Sequence, residues 1–378
     1  MATASHLQTD VIVLGGGPAG AAIALTLARA NWRVTVVERT TYSGVRIGET
    51  LPPAVQKPLV KLGLWDQFIA QRHAPSFGIY SAWGSDELRE SNFIFDPYGS
   101  GWHVDRSRFD AMIACAAERA GAVVYRGSHV THCVETIDGN WEIECKSGSD
   151  SHHLRARFLV DATGRSGWFT RKIGIDRMCY DKLVGIVGFL SPLSGAAMAD
   201  DHTLVEAAED GWWYSAQLPD SRWVVAFMTD ADLKPVGRAC LRTYWQVQLD
   251  RTRYTYARKW DCTLECDLQI AAANSFVLRH SSGENWLAVG DAASAYDPLS
   301  SRGVYNALTS GLQAGDAILR HACGDDPGAI TGYEGWTHAR FGAYLKQRAF
   351  HYGREKRWPK IFRQRRRSEP EAKLRLLS

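Results

Sequence analysis

The apolar positions of this chain follow two different rhythms. In the first, short unbroken runs end at glycine-bearing turns: Val11-Ile12-Val13-Leu14, Phe158-Leu159-Val160 and Trp286-Leu287-Ala288-Val289. Runs of four or so residues without polar alternation predict strands of a parallel sheet buried on both faces. Val34-Thr35-Val36-Val37 reads the same way. Between the first two runs lies an Ala/Leu-rich stretch, residues 21–30, which predicts a helix. Further helices are expected from the prolines at 52–53 to Gly63, from Arg106 to about 120 under a cap from Asp105 or Ser107, over 241–256, and over 305–321. In the second rhythm, residues 76–104 and 181–232 alternate and are rich in Trp, Phe and Tyr, the pattern of half-buried strands in a second sheet. Asp138-Gly139 between two alternating segments predicts a hairpin.

The chain therefore enters one fold, leaves it and returns. We expect an α/β protein with a Rossmann-like dinucleotide-binding domain built from residues 1–75, 104–177 and 276–322. Residues 76–103 and 178–275 are expected to form an interleaved β-sheet substrate domain, and residues 323–378 a C-terminal helical basic segment.

The most informative stretch is Gly15-x-Gly17-x-x-Gly20, placed after the first strand and opening the first helix, with Glu38 closing the second strand. Gly15 permits the tight turn, Gly17 lets the backbone approach a pyrophosphate, and Gly20 lets helix and strand pack closely. The helix start at Pro18 offers free N–H groups to phosphate from Ala19 onward, and Glu38 can accept from ribose hydroxyls. The motif alone leaves FAD and NAD open.

Composition changes this picture little. Net charge is +3 over 378 residues, too small to indicate nucleic acid. No apolar run is long enough to span a bilayer, and the first ten residues lack a signal-peptide pattern, so a cytoplasmic protein is expected. The eight cysteines show no metal spacing, and no metal is expected. Fourteen tryptophans are unusual and raise the prospect of an aromatic pocket. The stretch from Arg354 to Arg367 is densely basic with interleaved aromatics. Its plain reading is the solvated face of a terminal helix, with docking to an acidic partner or weak membrane contact as alternatives.

Four stretches now coincide in order: the glycine fingerprint with Glu38, Arg106 opening a helix, Asp161-Ala162-Thr163-Gly164, and Gly290-Asp291 followed by Pro298 and Gly303. Together they resemble the FAD-dependent aromatic hydroxylase and halogenase superfamily, with its p-hydroxybenzoate-hydroxylase-like fold. A narrower set resembles the LodB-like flavoprotein monooxygenases, which mature quinone-cofactor oxidases and dehydrogenases. It comprises Gly48-Glu49-Thr50-Leu51-Pro52, Glu206-Ala207 with Gly211-Trp212-Trp213-Tyr214, Thr229-Asp230-Ala231-Asp232 and Asp297-Pro298-Leu299-Ser300-Ser301-Arg302-Gly303.

The resemblance implies FAD as cofactor. Its implied binding residues are Gly15, Gly17, Pro18, Ala19, Gly20 and Glu38, then Arg39, Arg46 and Arg106, then Asp161, Gly164, Gly290 and Asp291, and finally Pro298, Ser301 and Gly303. Asp291 would hold the ribityl chain. The turn from Pro298 to Gly303 would aim a helix N-terminus at the flavin ring. The implied activity is hydroxylation of an indole, as tryptophan in a peptide or partner protein, through a flavin C4a-hydroperoxide. The electron donor would be NAD(P)H or a separate flavin reductase, with O2 as oxidant. Glu49 and Glu206 are the candidate bases, and Trp212, Trp213 and Tyr214 the candidate substrate walls. A small-molecule hydroxylase or halogenase is the alternative, and an isoprenoid reductase a further one. The halogenase pattern fits less well: Gly211-Trp212-Trp213-Tyr214-Ser215-Ala216-Gln217 departs from G-W-x-W-x-I-P. A halogenase also needs an active-site lysine, and Lys57 and Lys61 belong to no such motif.

Overall fold

The computed structural model describes residues 7–193, 200–258 and 262–367. At its centre is a five-stranded all-parallel sheet. In spatial order its strands are Trp286–Ala288, Phe158–Asp161, Val11–Leu14, Val34–Val37 and Val123–Tyr125. The three middle strands are buried at nearly every position, as two-sided coverage demands. One face is covered by the helices Pro18–Arg29, Arg106–Arg119 and Gly303–Ala322. The other carries a meander of His129–Glu135, Trp141–Ser147 and Asp150–Ala156, whose Cys133, Trp141, Ile143 and Leu154 pack on Ile12, Leu14 and Leu159. The hairpin turns at Gly139, where φ is +73°.

The second sheet has eight strands. Arg89–Asn92, Gly78–Ala82, His202–Ala208, Gly211–Gln217, Trp223–Asp230, Leu183–Pro192 and Cys262–Leu264 follow in spatial order, and Gln269–Ala272 also pairs with Leu183–Pro192. Only the pairing of Gly78–Ala82 with His202–Ala208 is parallel. A small sheet of Thr50–Leu51, Gly101–His103 and Ala74–Ser76 joins the two regions.

Helix Arg106–Arg119 is capped by Asp105, whose side chain accepts from the N–H groups of Ser107 (2.9 Å) and Arg108 (3.2 Å). The helix expected over 241–256 is instead two, Arg238–Asp250 and Tyr254–Arg258. The break has a cause outside the segment. Glu206, on the sheet, accepts from the N–H groups of Arg253 (2.8 Å), Tyr254 (3.2 Å) and Thr255 (2.7 Å). Those are the orphan donors of a new helix start.

The basic C-terminal stretch departs most from expectation. Helix Ala329–Arg354 leads into a short helix, Ile361–Arg367, which folds back on the second sheet. Arg363 and Arg366 are fully buried rather than solvated, while Arg354, Lys356 and Lys360 are exposed. The partner is acidic but belongs to the same chain. Arg366 pairs with Asp230 at 2.5 Å, Arg365 with Asp230 and Asp232 at 2.8 Å, and Arg363 donates to the carbonyl oxygens of Ala208 (2.5 Å) and Gly211 (3.2 Å). Residues 368–378 of the expected C-terminal segment lie outside the described residues.

His103, in the small joining sheet, is 1% exposed, and its Nε2 lies 3.1 Å from Thr203 Oγ1. Burial, reinforced by Arg258, pulls its pKa down to about 4. The unfolded chain therefore binds a proton that the native one excludes between pH 6.5 and about 4. Stability contributed by neutral His103 is full above pH 6.5 and is lost as pH falls toward 4. Chemical denaturation at pH 7 and pH 5 is expected to show that decline, and His103→Gln to flatten it. A pH-independent histidine contribution in the parent would refute the assignment.

Candidate active site between the two sheets

The carboxyl ends of the parallel strands face the second sheet across a cavity of about 550 Å3. Its floor is the fingerprint turn, Gly17, Pro18 and Ala19. Along one side run Ile47, Gly48, Glu49, Thr50 and Arg106, and along another Ala162, Gly164, Arg165 and Asp291. The turn Asp297, Pro298, Ser301 and Gly303 closes one end, and Trp212, Tyr214, Val224, Ala226 and Met228 of the sheet form the wall opposite.

Each glycine of the fingerprint has its own geometry. Gly15 has φ +100°, which only glycine adopts freely, and a Cβ there would lie 2.4 Å from the Ala162 carbonyl oxygen. A Cβ on Gly17 would meet nothing within 4 Å, so this backbone faces open space on the cavity floor. Gly20 sits where a Cβ would be 1.9 Å from the Gly15 oxygen and 2.9 Å from the Ala162 Cβ. Because the first of these is a backbone atom, Gly20→Ala is expected to displace the whole turn and abolish FAD retention. The flavin absorbance of purified protein measures this, and a variant carrying full flavin would overturn it.

Glu38 is 6% exposed and braces the same turn. Its Oε2 accepts from Gly16 N at 2.6 Å and its Oε1 from Thr40 N at 2.9 Å. Arg46 does not reach toward the cavity. It bridges Glu38 (3.3 Å) and Asp110 (2.7 Å). Arg106 also pairs with Asp110 (3.0 Å) and donates to the Ile47 carbonyl (2.8 Å), which holds residues 47–50 against the cavity. Asp110 is fully buried and organises both arginines. The sequence reading missed it, although Arg106 and Asp110 at i,i+4 on a helix were available as a signal. Arg39 is exposed and lies off the cavity lining.

Asp161 is buried, and its oxygens are spent within its own turn, on Thr163 N (3.0 Å), Thr163 Oγ1 (2.6 Å) and Thr170 N (3.0 Å). It shapes the loop beneath Gly164 rather than facing the cavity. Asp291 does line the cavity and pairs with Arg165 at 3.3 Å. Gly290 has φ +58° and donates to Ser310 Oγ at 2.8 Å, and a Cβ there would meet the Ala19 Cβ at 2.8 Å. This close approach brings the second glycine turn onto the fingerprint helix.

Of the two candidate bases, Glu206 fails. Its carboxylate caps the helix at Tyr254 and is absent from the cavity lining. Glu49 remains. It is 3% exposed, lines the cavity, and its Oε1 has no hydrogen-bond partner in the protein. Burial raises its pKa, against the opposing pull of nearby Arg106 and backbone donors. Of the candidate walls, Trp212 and Tyr214 line the cavity, whereas Trp213 points through the sheet. There it stacks on Phe227 (4.8 Å) and meets Trp245 edge-on (5.3 Å). Side chains alternate along a strand, so 213 could not share a face with 212 and 214. Tyr214 hydroxyl lies 2.6 Å from Thr50 Oγ1, tying the wall to the residue after Glu49.

The arrangement fits FAD on structural grounds. A bare glycine backbone and a helix start form one end of an elongated cavity, and a second helix N-terminus, at Ser301 and Gly303, forms the other. Between them stands the buried Glu49 carboxylate, with its Oε1 unpartnered, beside an aromatic wall.

Comparison with known proteins agrees. The FAD binding domain family matches residues 8–325. The putative FAD-dependent oxidoreductase LodB of Marinomonas mediterranea is 32% identical over 94% of this chain and 96% of that protein. The myxobacterial chondrochloren halogenase CndH superposes with a TM-score of 0.85 at 25% identity, covering 97% of this chain and 88% of that one. The peptidyl tryptophan dihydroxylase QhpG, described as essential for tryptophylquinone cofactor biogenesis, superposes with a TM-score of 0.79 at 27% identity, over 96% and 80%.

Proposed function

The chain belongs to the FAD-dependent oxidoreductase family that includes LodB, and from that premise we propose that it hydroxylates tryptophan within a peptide or partner protein during quinone-cofactor maturation. The observation that carries this reading is the buried Glu49 carboxylate, with Oε1 unpartnered, on a cavity walled by Trp212 and Tyr214.

Bound FAD, once reduced by NAD(P)H or a partner reductase, supplies the activation of O2. The chain's residues do the rest. Gly17 and the helix start at Pro18 would hold the phosphates of FAD, Asp291 its sugar alcohol chain, and the helix start at Gly303 would lie toward its ring system. Trp212 and Tyr214 orient an electron-rich ring and keep water out. Glu49, its pKa raised by burial, takes the ring proton at Oε1 in its ionised form as aromaticity returns.

The halogenase alternative requires a lysine at the reacting atoms. No lysine lines the cavity among the described residues. The Lys57 ammonium lies 4.6 Å from the Tyr98 ring centroid, outside the lining. An isoprenoid reductase would want an apolar tunnel, whereas Glu49, Arg106, Arg165 and Asp291 all face this cavity.

The test is aerobic incubation of reduced holo-protein with a tryptophan-bearing precursor polypeptide, followed by mass spectrometry. A gain of one or two oxygens on a tryptophan is expected. Turnover of a free aromatic with no gain on any polypeptide, or bromide- or chloride-dependent product, would overturn the reading.

A further inference from the structure

Helix Ala329–Arg354 carries Tyr352, which bonds to two residues on the cavity lining, Asp297 and Trp212. The Tyr352 hydroxyl donates to Asp297 Oδ2 at 2.8 Å and accepts from Trp212 Nε1 at 2.9 Å. All three residues are almost completely buried. Asp297 in turn shapes the loop that delivers Ser301 and Gly303. Its Oδ1 accepts from Leu299 N (2.9 Å), and its own N–H donates to Tyr344 Oη (2.8 Å). Trp212 stands on the sheet wall opposite. One phenol therefore spans the cofactor-facing turn and the substrate-facing wall.

The phenol is itself clamped. The Arg366 guanidinium lies 5.4 Å from its ring centroid, Trp83 meets it edge-on at 5.5 Å, and Phe362 packs at 6.1 Å. Arg366 and Phe362 come from the terminal helix Ile361–Arg367. The direction of the bonds is fixed by chemistry. An indole N–H can only donate, so the phenol accepts from it and gives its own proton to the carboxylate. Burial beside Asp297 raises the phenol pKa well above its usual value, which keeps that proton in place.

We propose that Tyr352 is a positioning residue that couples the Asp297–Gly303 turn to Trp212, so that the terminal helix, by clamping Tyr352, forms part of the FAD site. The ring of Tyr352 would only fill space; its hydroxyl transmits order from one side of the cavity to the other. The inference rests on FAD binding, not on the identity of the substrate, so failure of every polypeptide substrate leaves it standing.

The test is FAD affinity of the apoprotein by fluorescence titration, which needs no turnover. Tyr352→Phe keeps the ring and deletes both bonds. It is expected to weaken FAD roughly three- to tenfold, the size of a lost buried hydrogen bond. Trp212→Phe is expected to weaken FAD by a similar or smaller factor. The double variant should bind no worse than Tyr352→Phe alone, because the indole acts through the phenol. Leu249→Ala, in the core on the other face of the sheet, serves as the stability control: its Tm should fall while its FAD affinity holds. The proposal is overturned if Tyr352→Phe binds FAD like the parent, if the two single losses multiply in the double variant, or if Leu249→Ala weakens FAD to the same degree.

Discussion

Glu49→Gln is expected to lower turnover of the aromatic substrate by about 10²- to 10⁴-fold while FAD stays bound, the range spanned by loss of a positioned general base. The amide is nearly isosteric, so packing around residues 47–50 is kept. The local backbone is held independently: Val104 N donates to the Glu49 carbonyl at 2.8 Å, and Thr50 and Leu51 pair with His103 and Trp102. What is lost is a group that can exchange a proton at a buried position where the protein offers Oε1 no other partner. The pH profile gives a second readout. Burial lifts the Glu49 pKa, so the acid limb of the parent's rate profile should lie above the ordinary glutamate range. As pH falls through that pKa, Glu49 becomes protonated and its function as a base is lost. The variant should lack this limb. Full-speed turnover by Glu49→Gln, with the limb intact, would remove Glu49 from the chemistry.

The largest stability effect is expected at Arg366. Arg366→Ala should cost about 3–5 kcal/mol, the penalty for stranding a buried charge. Arg366 and Asp230 are both fully buried, 2.5 Å apart, and Asp181 lies 3.9 Å from the same guanidinium. The guanidinium also covers the Phe362 ring at 4.0 Å. Removing it leaves Asp230 to Arg365 alone and Asp181 to Arg348, with both carboxylates buried. The double variant Arg366→Met with Asp230→Asn should recover part of the loss, because it removes charge from both sides of the pair. Urea midpoints compare the three. An Arg366→Ala midpoint equal to the parent's would mean that the buried Arg366–Asp230 pair contributes nothing to stability.

The site residues were readable in proportion to how local their geometry is. The fingerprint is a strand, a turn and a helix within about thirty residues, and Gly20 is demanded by a contact inside that unit, against Gly15. Glu49 followed from a short motif and lies on the cavity. Glu206 was chosen by the same reasoning and is a helix cap, because its partners are nearly fifty residues away. Trp212 and Trp213 are neighbours in sequence and opposites in space. The period of two along a strand says they must differ, but which face meets the cavity depends on where the sheet packs.

The basic tail makes the same point through charge. Its residues are the most polar-looking on the chain, and composition alone assigns them to water. Asp181 and Asp230 lie more than a hundred residues earlier, so only folding could bring them under Arg366. By itself, then, the sequence determined the parallel core and the dinucleotide turn, because each rests on periodicity or contacts between near neighbours, while the family followed from the resemblance of motifs spread along the chain. The tertiary structure alone decided which carboxylate faces the cavity, which tryptophan walls it, and that the last helix is buried against the second sheet. Those assignments depend on desolvation and on partners distant in the chain, and neither is written in any local pattern.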